Sequence, residues 1–203
     1  MNFFLLFLLF FFPKSYSYVI LPFDTKIEDI KLDSTNFYQK KYYNNLQTKI
    51  SLGTPYQTIP LSIMIKQYPT IITSKYSNLD ITNLFDQKKS DSYTELKKNP
   101  LRAWESIYKE CFFAKDTFSI KINSKETKIE NFNFLLGTEM GNKINGLLGL
   151  SLKSTRKDLD EYGFIYQLKQ KKLIESSVFF IQFDSKNNNK GELIIGKYPH
   201  EIN

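Results

Sequence analysis

Residues 46–52, LQTKISL, alternate strictly. Leu46, Thr48, Ile50 and Leu52 fall on one side, and Gln47, Lys49 and Ser51 on the other. A period of two is the pattern of a strand with one buried face. Gly53-Thr54-Pro55 follows, where Gly admits turn dihedrals and Pro fixes φ. Residues 59–65 return as a second strand, and the β-branched run 70–73 (TIIT) suits a third. From Tyr42 onward the chain therefore reads as β-rich.

The rest supplies further short strands and one helix. Residues 85–93, FDQKKSDSY, are polar and turn-rich, with Asp86 and Ser90 as turn residues. Residues 106–121 suit a hairpin arm ending in a strand over 117–122, and 129–136 suit another strand. A loop is expected over 137–143, followed by the apolar stretch INGLLGLSL at 144–152. Phe164, Ile165, Leu168 and Leu173 are spaced for a helix within 162–173. Residues 178–183 (VFFIQF) and 192–195 (ELII) read as strands joined by the turn DSKNNNKG. Neither a linker composition nor an internal repeat divides the chain.

The N-terminus is different. Residues 3–12 are an unbroken apolar run, stopped by Pro13 and Lys14. Ten helical residues rise about 15 Å, half of a bilayer core. The run suits the hydrophobic region of a secretory signal peptide, with cleavage after Ser17 in a small-x-small pattern. Residues 1–17 are thus expected to be a signal peptide, and no span remains after its removal. The expected location is secreted, or a lumenal secretory or endolysosomal compartment. Residues 18–41 show no strong periodicity and suit either a short pro-segment or a first strand, leaving 42–203 as the main domain.

Composition excludes several chemistries. Cys111 is the sole cysteine, so no internal disulfide can form, and it reads as a buried apolar residue or an intermolecular partner. With His200 as the sole histidine, multi-His metal sites are excluded and a histidine-based triad is disfavoured. No cofactor or metal is expected. The net charge of +7 is spread over lysines interleaved with acids, as in KINSKETKIE at 121–130. That is a solvated surface rather than a clustered nucleic-acid site.

Five segments, in order over residues 42–199, resemble the N-terminal lobe of pepsin-like aspartic peptidases. LQTKISLGTPYQ is similar to the opening Y-x-x-x-I-x-I-G-T-P-x-Q hairpin, with Leu46 for Tyr. FDQKKSDSY is similar to F-x-P-x-x-S-x-T-Y, with Gln87 for Pro. INGLLGL is similar to F-D-G-I-L-G-L, with Asn145 for Asp. Leu168, Ile174 and Phe179 match L-x-x-Q-x-x-I-x-x-x-x-F, with Lys171 at the Gln position, and GELIIG matches G-x-L-x-x-G. The resemblance implies a mostly β fold, a single pepsin-like lobe built as a closed or orthogonally packed β-barrel with short helices.

It also implies a reaction. In this family one aspartate from each lobe shares a proton around a water, which one carboxylate activates while the other holds the substrate carbonyl. Carrying the motif forward from Gly53-Thr54-Pro55 places the family's Asp-Thr-Gly on Met64-Ile65-Lys66. None of the chain's Asp-Thr or Asp-Ser pairs, at Asp24, Asp33, Asp91, Asp116 and Asp184, is followed by Gly. Aligning Asp116-Thr117 with the family's post-flap Asp-Thr puts Trp104 at the flap tyrosine and Glu105-Ser106-Ile107 in place of Gly-Thr-Gly. Trp104 and Ser106 are the flap or groove candidates. The chain stops where a first lobe would end.

The resemblance therefore implies a secreted, non-catalytic relative, with no catalytic residue of its own. Its partner would be a peptide or protein ligand, or a second lobe supplied by another chain, and not nucleic acid. The alternatives are a fragment of an active aspartic endopeptidase engaged in proteolysis, or a secreted peptide- or protein-binding module.

Overall fold

The computed structural model describes residues 18–25, 46–66, 68–97, 101–102, 108–122, 125–141, 143–152, 154, 156–187 and 189–197. Eleven strands form one sheet: β1 (Val19–Thr25), β2 (Leu46–Leu52), β3 (Gln57–Met64), β4 (Ile71–Thr73), β5 (Thr94–Glu95), β6 (Leu101–Arg102), β7 (Tyr108–Ile122), β8 (Lys125–Met140), β9 (Gly146–Gly149), β10 (Phe179–Phe183) and β11 (Lys190–Ile195). Helical turns lie at Gln87–Lys89 and Lys157–Tyr162, and one α-helix, α1, spans Phe164–Gln170.

The strand order is β10-β11-β1-β2-β3-β9-β4-β8-β7-β5, with β6 also on β7. Strand β7 reaches back to β1 and β2, through Val19↔Ile122, Ser51↔Ser119 and Leu52↔Phe118. The sheet thus closes as a ring through β2, β3, β9, β4, β8 and β7, while β1, β11 and β10 extend from it. The mostly β fold with few short helices is as the resemblance implies, although the ring is less regular than a barrel.

Alternation decides the faces. In β2 the four residues singled out from the sequence are all buried, and in β3 Ile59, Leu61 and Ile63 are. All of these except Thr48 meet Phe118, Phe132, Phe134 and Phe164 in the larger core cluster. A second cluster holds Tyr68, Ile71, Tyr108, Cys111, Phe113, Leu135, Met140, Leu147, Leu159 and Tyr162.

One element takes an alternative that the sequence left open, and two differ from the sequence reading. Residues 19–25 do alternate, with Val19, Leu21, Phe23 and Thr25 buried, and pair with both β11 and β2. The outward Ile20 and Pro22 hide that period in a linear reading. The loop expected over 137–143 begins later, because Gly137–Met140 ends β8. Parallel pairing with β4, including Thr73↔Gly137, overrides the local turn signal. A Cβ on Gly137 would lie 2.3 Å from Met140 Sδ, so the glycine makes room for that side chain. The helix is also shorter than expected: Gly163 caps its start in extended conformation and Lys172, at φ 56°, turns the chain just past its end.

The helix is tied to the sheet by one side chain. Gln167 is buried, donates from Nε2 to the Asn133 carbonyl (2.8 Å) and accepts the Asn133 N–H at Oε1 (2.7 Å). Gln167→Leu strands both backbone groups in an apolar setting. A loss of about 2–3 kcal/mol is expected in urea unfolding; a loss within error would show that the clamp contributes nothing.

Candidate functional site

Met64-Ile65-Lys66, onto which the resemblance carries the family's Asp-Thr-Gly, lies where β3 ends. Met64 is the last residue of that strand, opposite Gly149 of the parallel β9, and its carbonyl accepts the Leu150 N–H at 3.0 Å. Ile65 and Lys66 form the turn that follows. Met64 and Ile65 are half-buried and Lys66 is exposed. Met64 packs on the cluster that contains Tyr68 and Tyr162, whereas Ile65 packs on the larger core. The strand geometry thus sets position 64 on a rigid parallel pair, as a reactive group would require, but the side chain there is a thioether.

The buried carboxylates lie elsewhere. Asp116 is 1% exposed; its Oδ1 accepts the Ser92 hydroxyl and the Thr117 N–H (2.7 Å). The Ser92 and Thr54 hydroxyls lie 2.8 Å apart, and the Thr54 N–H donates to Ser90 Oγ at 2.9 Å. Asp86 is 5% exposed and accepts from Lys75 Nζ and the Tyr76 hydroxyl, each at 3.1 Å. Its backbone exchanges two hydrogen bonds with the Gln57 side chain, at 2.8 and 2.9 Å. Both acids therefore brace the turn end of the β2–β3 hairpin. Gln57 to Met64 is eight residues of strand, about 23 Å end to end, so neither carboxylate can serve at position 64.

These contacts give the motif residues structural roles in this fold. Phe85 is fully buried and packs edge-on to Phe134, at 6.0 Å between centroids. Ser90 and Ser92 tie the same segment to Thr54 and Asp116. Asn145, where the family has Asp, donates from Nδ2 to the carbonyls of Thr82 and Asn83. A carboxylate could not make those bonds, so the exchange to Asn fits the local donor requirement. The sequence pointed at Gln57, Ser90, Ser92 and Asp116 only as motif members; their mutual contacts were not readable from it.

Asp86 gives the network a pH dependence. Burial pushes its carboxyl up, but hydrogen bonds from Lys75 and Tyr76 outweigh this and hold it below its ordinary value. A depressed folded pKa stabilises the fold above the unfolded value of about 3.9. That stabilisation is lost as pH falls through the folded pKa. Asp86→Asn should flatten the fall of Tm as the pH drops below about 4. An acid limb identical to that of the unchanged protein would refute the assignment.

Trp104, Glu105 and Ser106 lie outside the described residues, as does His200. Cys111 is fully buried, and burial together with the charge of Glu110 pushes its thiol up, which suppresses the thiolate needed of a nucleophile. Among the described residues no group of three or more His, Cys, Asp or Glu is placed to hold a metal, and no helix is long and apolar enough to cross a membrane. A groove of about 730 Å³ crosses the outer face of β10, β11, β1, β2 and β3, lined by Pro22, Lys49, Pro60, Gln182, Phe183 and Glu192 among others. Its nearest β3 residue, Pro60, is four residues from Met64, about 13 Å along the strand, so this groove is not centred on Met64.

No curated protein sequence matches the chain. The family model for eukaryotic aspartyl proteases matches residues 41–201.

Proposed function

The chain belongs to the eukaryotic aspartyl protease family, and from that premise we propose that it is a secreted, non-catalytic member which works by binding. One observation carries this reading: the family's Asp-Thr-Gly position is occupied by Met64, Ile65 and Lys66. The family's hydrolysis needs two carboxylates that share a proton around a water. A thioether can neither take that proton nor return it. Lys66 adds a long cationic side chain where the loop requires glycine, and Ile65 removes the hydroxyl that would orient a carboxylate. No other Asp-Thr/Ser-Gly occurs in the 203 residues.

Entry into the secretory route is supported by the apolar run at residues 3–12. Removal of residues 1–17 would leave Tyr18 just ahead of β1, which starts at Val19. The folded unit we assign to the mature protein is β1 together with residues 42–203. The groove across β1, β2 and β11 supports binding of a peptide or protein segment. It presents Pro22, Pro60 and Phe183 as apolar contacts and Lys49 and Glu192 as polar ones.

The test is hydrolysis of an unfolded protein substrate by the purified protein at acidic pH. No cleavage above a buffer control is expected. Cleavage that a statine-type transition-state mimic abolishes would sink the proposal. Met64→Asp alone is expected to stay inactive, since Ile65 and Lys66 still occupy the loop and a second carboxylate is still required. Cleavage gained by that single variant would overturn this account of the loop.

A further inference from the structure

Strand register gives the groove across the sheet a definite order. Lys49 lies opposite Pro60, Pro22 opposite Glu192, and Glu192 opposite Gln182. Pro22 stands one step beyond Phe23↔Thr48, beside Lys49, and its carbonyl accepts the Thr48 hydroxyl at 2.8 Å. Pro60, Lys49, Pro22, Glu192 and Gln182 therefore make one row across β3, β2, β1, β11 and β10, and all five line the groove. The groove runs across the strands, not along them.

That direction decides what can recognise a ligand. Strands β2, β1 and β11 are each paired on both sides, so their backbone groups are engaged and recognition falls to side chains. In this row the polar groups are the Lys49 ammonium, the Glu192 carboxylate and the Gln182 amide, with Pro60 and Pro22 as apolar surface. The neighbouring row is different. There Asp24 lies opposite Lys190, and Asp184 donates its N–H to the Lys190 carbonyl. Acid, base and acid stand side by side and offset one another. Lys49 and Glu192 instead have Pro22 between them, and among the described residues neither belongs to an ion pair. Two strand spacings separate them, about 10 Å.

We propose that this row binds a short free peptide by its two ends, with the N-terminal ammonium at Glu192 and the C-terminal carboxylate at Lys49. An extended chain advances about 3.3–3.6 Å per residue, so three residues span about 10 Å, while two fall short and four overrun. The middle residue crosses Pro22 and the last side chain reaches Pro60, which favours apolar residues at both places. Capture of terminal charges is a known mode of peptide recognition. The proposal rests on the peptide-binding reading above and sharpens it: the row selects free termini, not an internal stretch of a protein.

The purified protein is titrated with the tripeptide Ala-Phe-Ala and followed by NMR at the amides of β1, β2 and β11. Saturable shifts are expected around Lys49 and Glu192. N-acetylation or C-amidation of the peptide removes one end charge, and each should weaken binding several-fold, up to about fivefold. Glu192→Gln should cost the free peptide a similar factor and leave the affinity of the N-acetylated one unchanged. Lys49→Gln should behave in the same way towards the C-amidated one. Both side chains are exposed, so neither variant should change the circular dichroism spectrum. Free and doubly blocked peptides that bind the groove alike would overturn end capture while leaving peptide binding standing. A groove that binds neither would overturn both readings. Equal affinity of the free peptide for the two variants and the unchanged protein would also overturn end capture.

Discussion

Gly146→Ala is expected to destabilise the protein by about 3–5 kcal/mol. The residue opens β9, which is parallel to β3 and antiparallel to β4, so both flanks are occupied by backbone. At φ +154° its conformation disfavours any side chain. A Cβ would lie 2.4 Å from the Ile71 carbonyl oxygen and 2.6 Å from Leu61 Cδ2, itself fully buried. Neither neighbour can retreat without opening the ring, since Ile71 belongs to β4 and Leu61 to β3. Domains generally hold only about 5–15 kcal/mol in total, so the single added methyl removes a large share. A fall in Tm of about 10 °C or more is expected. A fall of a degree or two would show that the strands part more easily than their packing implies.

Phe118→Ala should cost a similar amount, about 3–5 kcal/mol. Phe118 is fully buried, stacks on Phe132 with centroids 4.5 Å apart, and meets Phe164 edge-on at 5.8 Å. It also sits at the closure of the ring, opposite Leu52. Alanine would leave a cavity walled by two rings that are held by a strand and a helix and cannot both move in. Phe118→Leu, which keeps most of the volume, should lose clearly less. Urea unfolding of the three proteins measures the order, and equal losses for Ala and Leu would argue that the aromatic contacts rather than the volume are what counts.

Both positions could be singled out in the sequence only in part. Gly146 stands in the INGLLGL segment, where the resemblance already asks for glycine, but the carbonyl that excludes a Cβ comes from Ile71, far away in the chain. Phe118 was readable as a strand residue, yet its stacking partner is set by the bulge that shifts the β7–β8 register between Asp116 and Phe118. The same division runs through the site. The alignment of Met64 with the family's aspartate comes from counting along a hairpin whose alternation is local and strong. The partners of Asp86 and Asp116 are Gln57 and Ser92, 29 and 24 residues away. Such pairings depend on register, which no local pattern contains.

By itself the sequence determined the β-rich character, the hairpin at residues 46–64, the strands around VFFIQF and ELII, and the absence of a carboxylate at position 64. These are short-range properties, set by side-chain period, turn residues and residue chemistry. Only the tertiary structure decided that residues 19–25 join the sheet, that β8 continues through Gly137, and that the buried acids brace the hairpin about 23 Å from Met64. It also set Lys49, Pro22 and Glu192 in one row across three strands. Each of these is a choice of neighbour, and neighbours are fixed by burial and backbone pairing across the whole ring rather than by any stretch of chain.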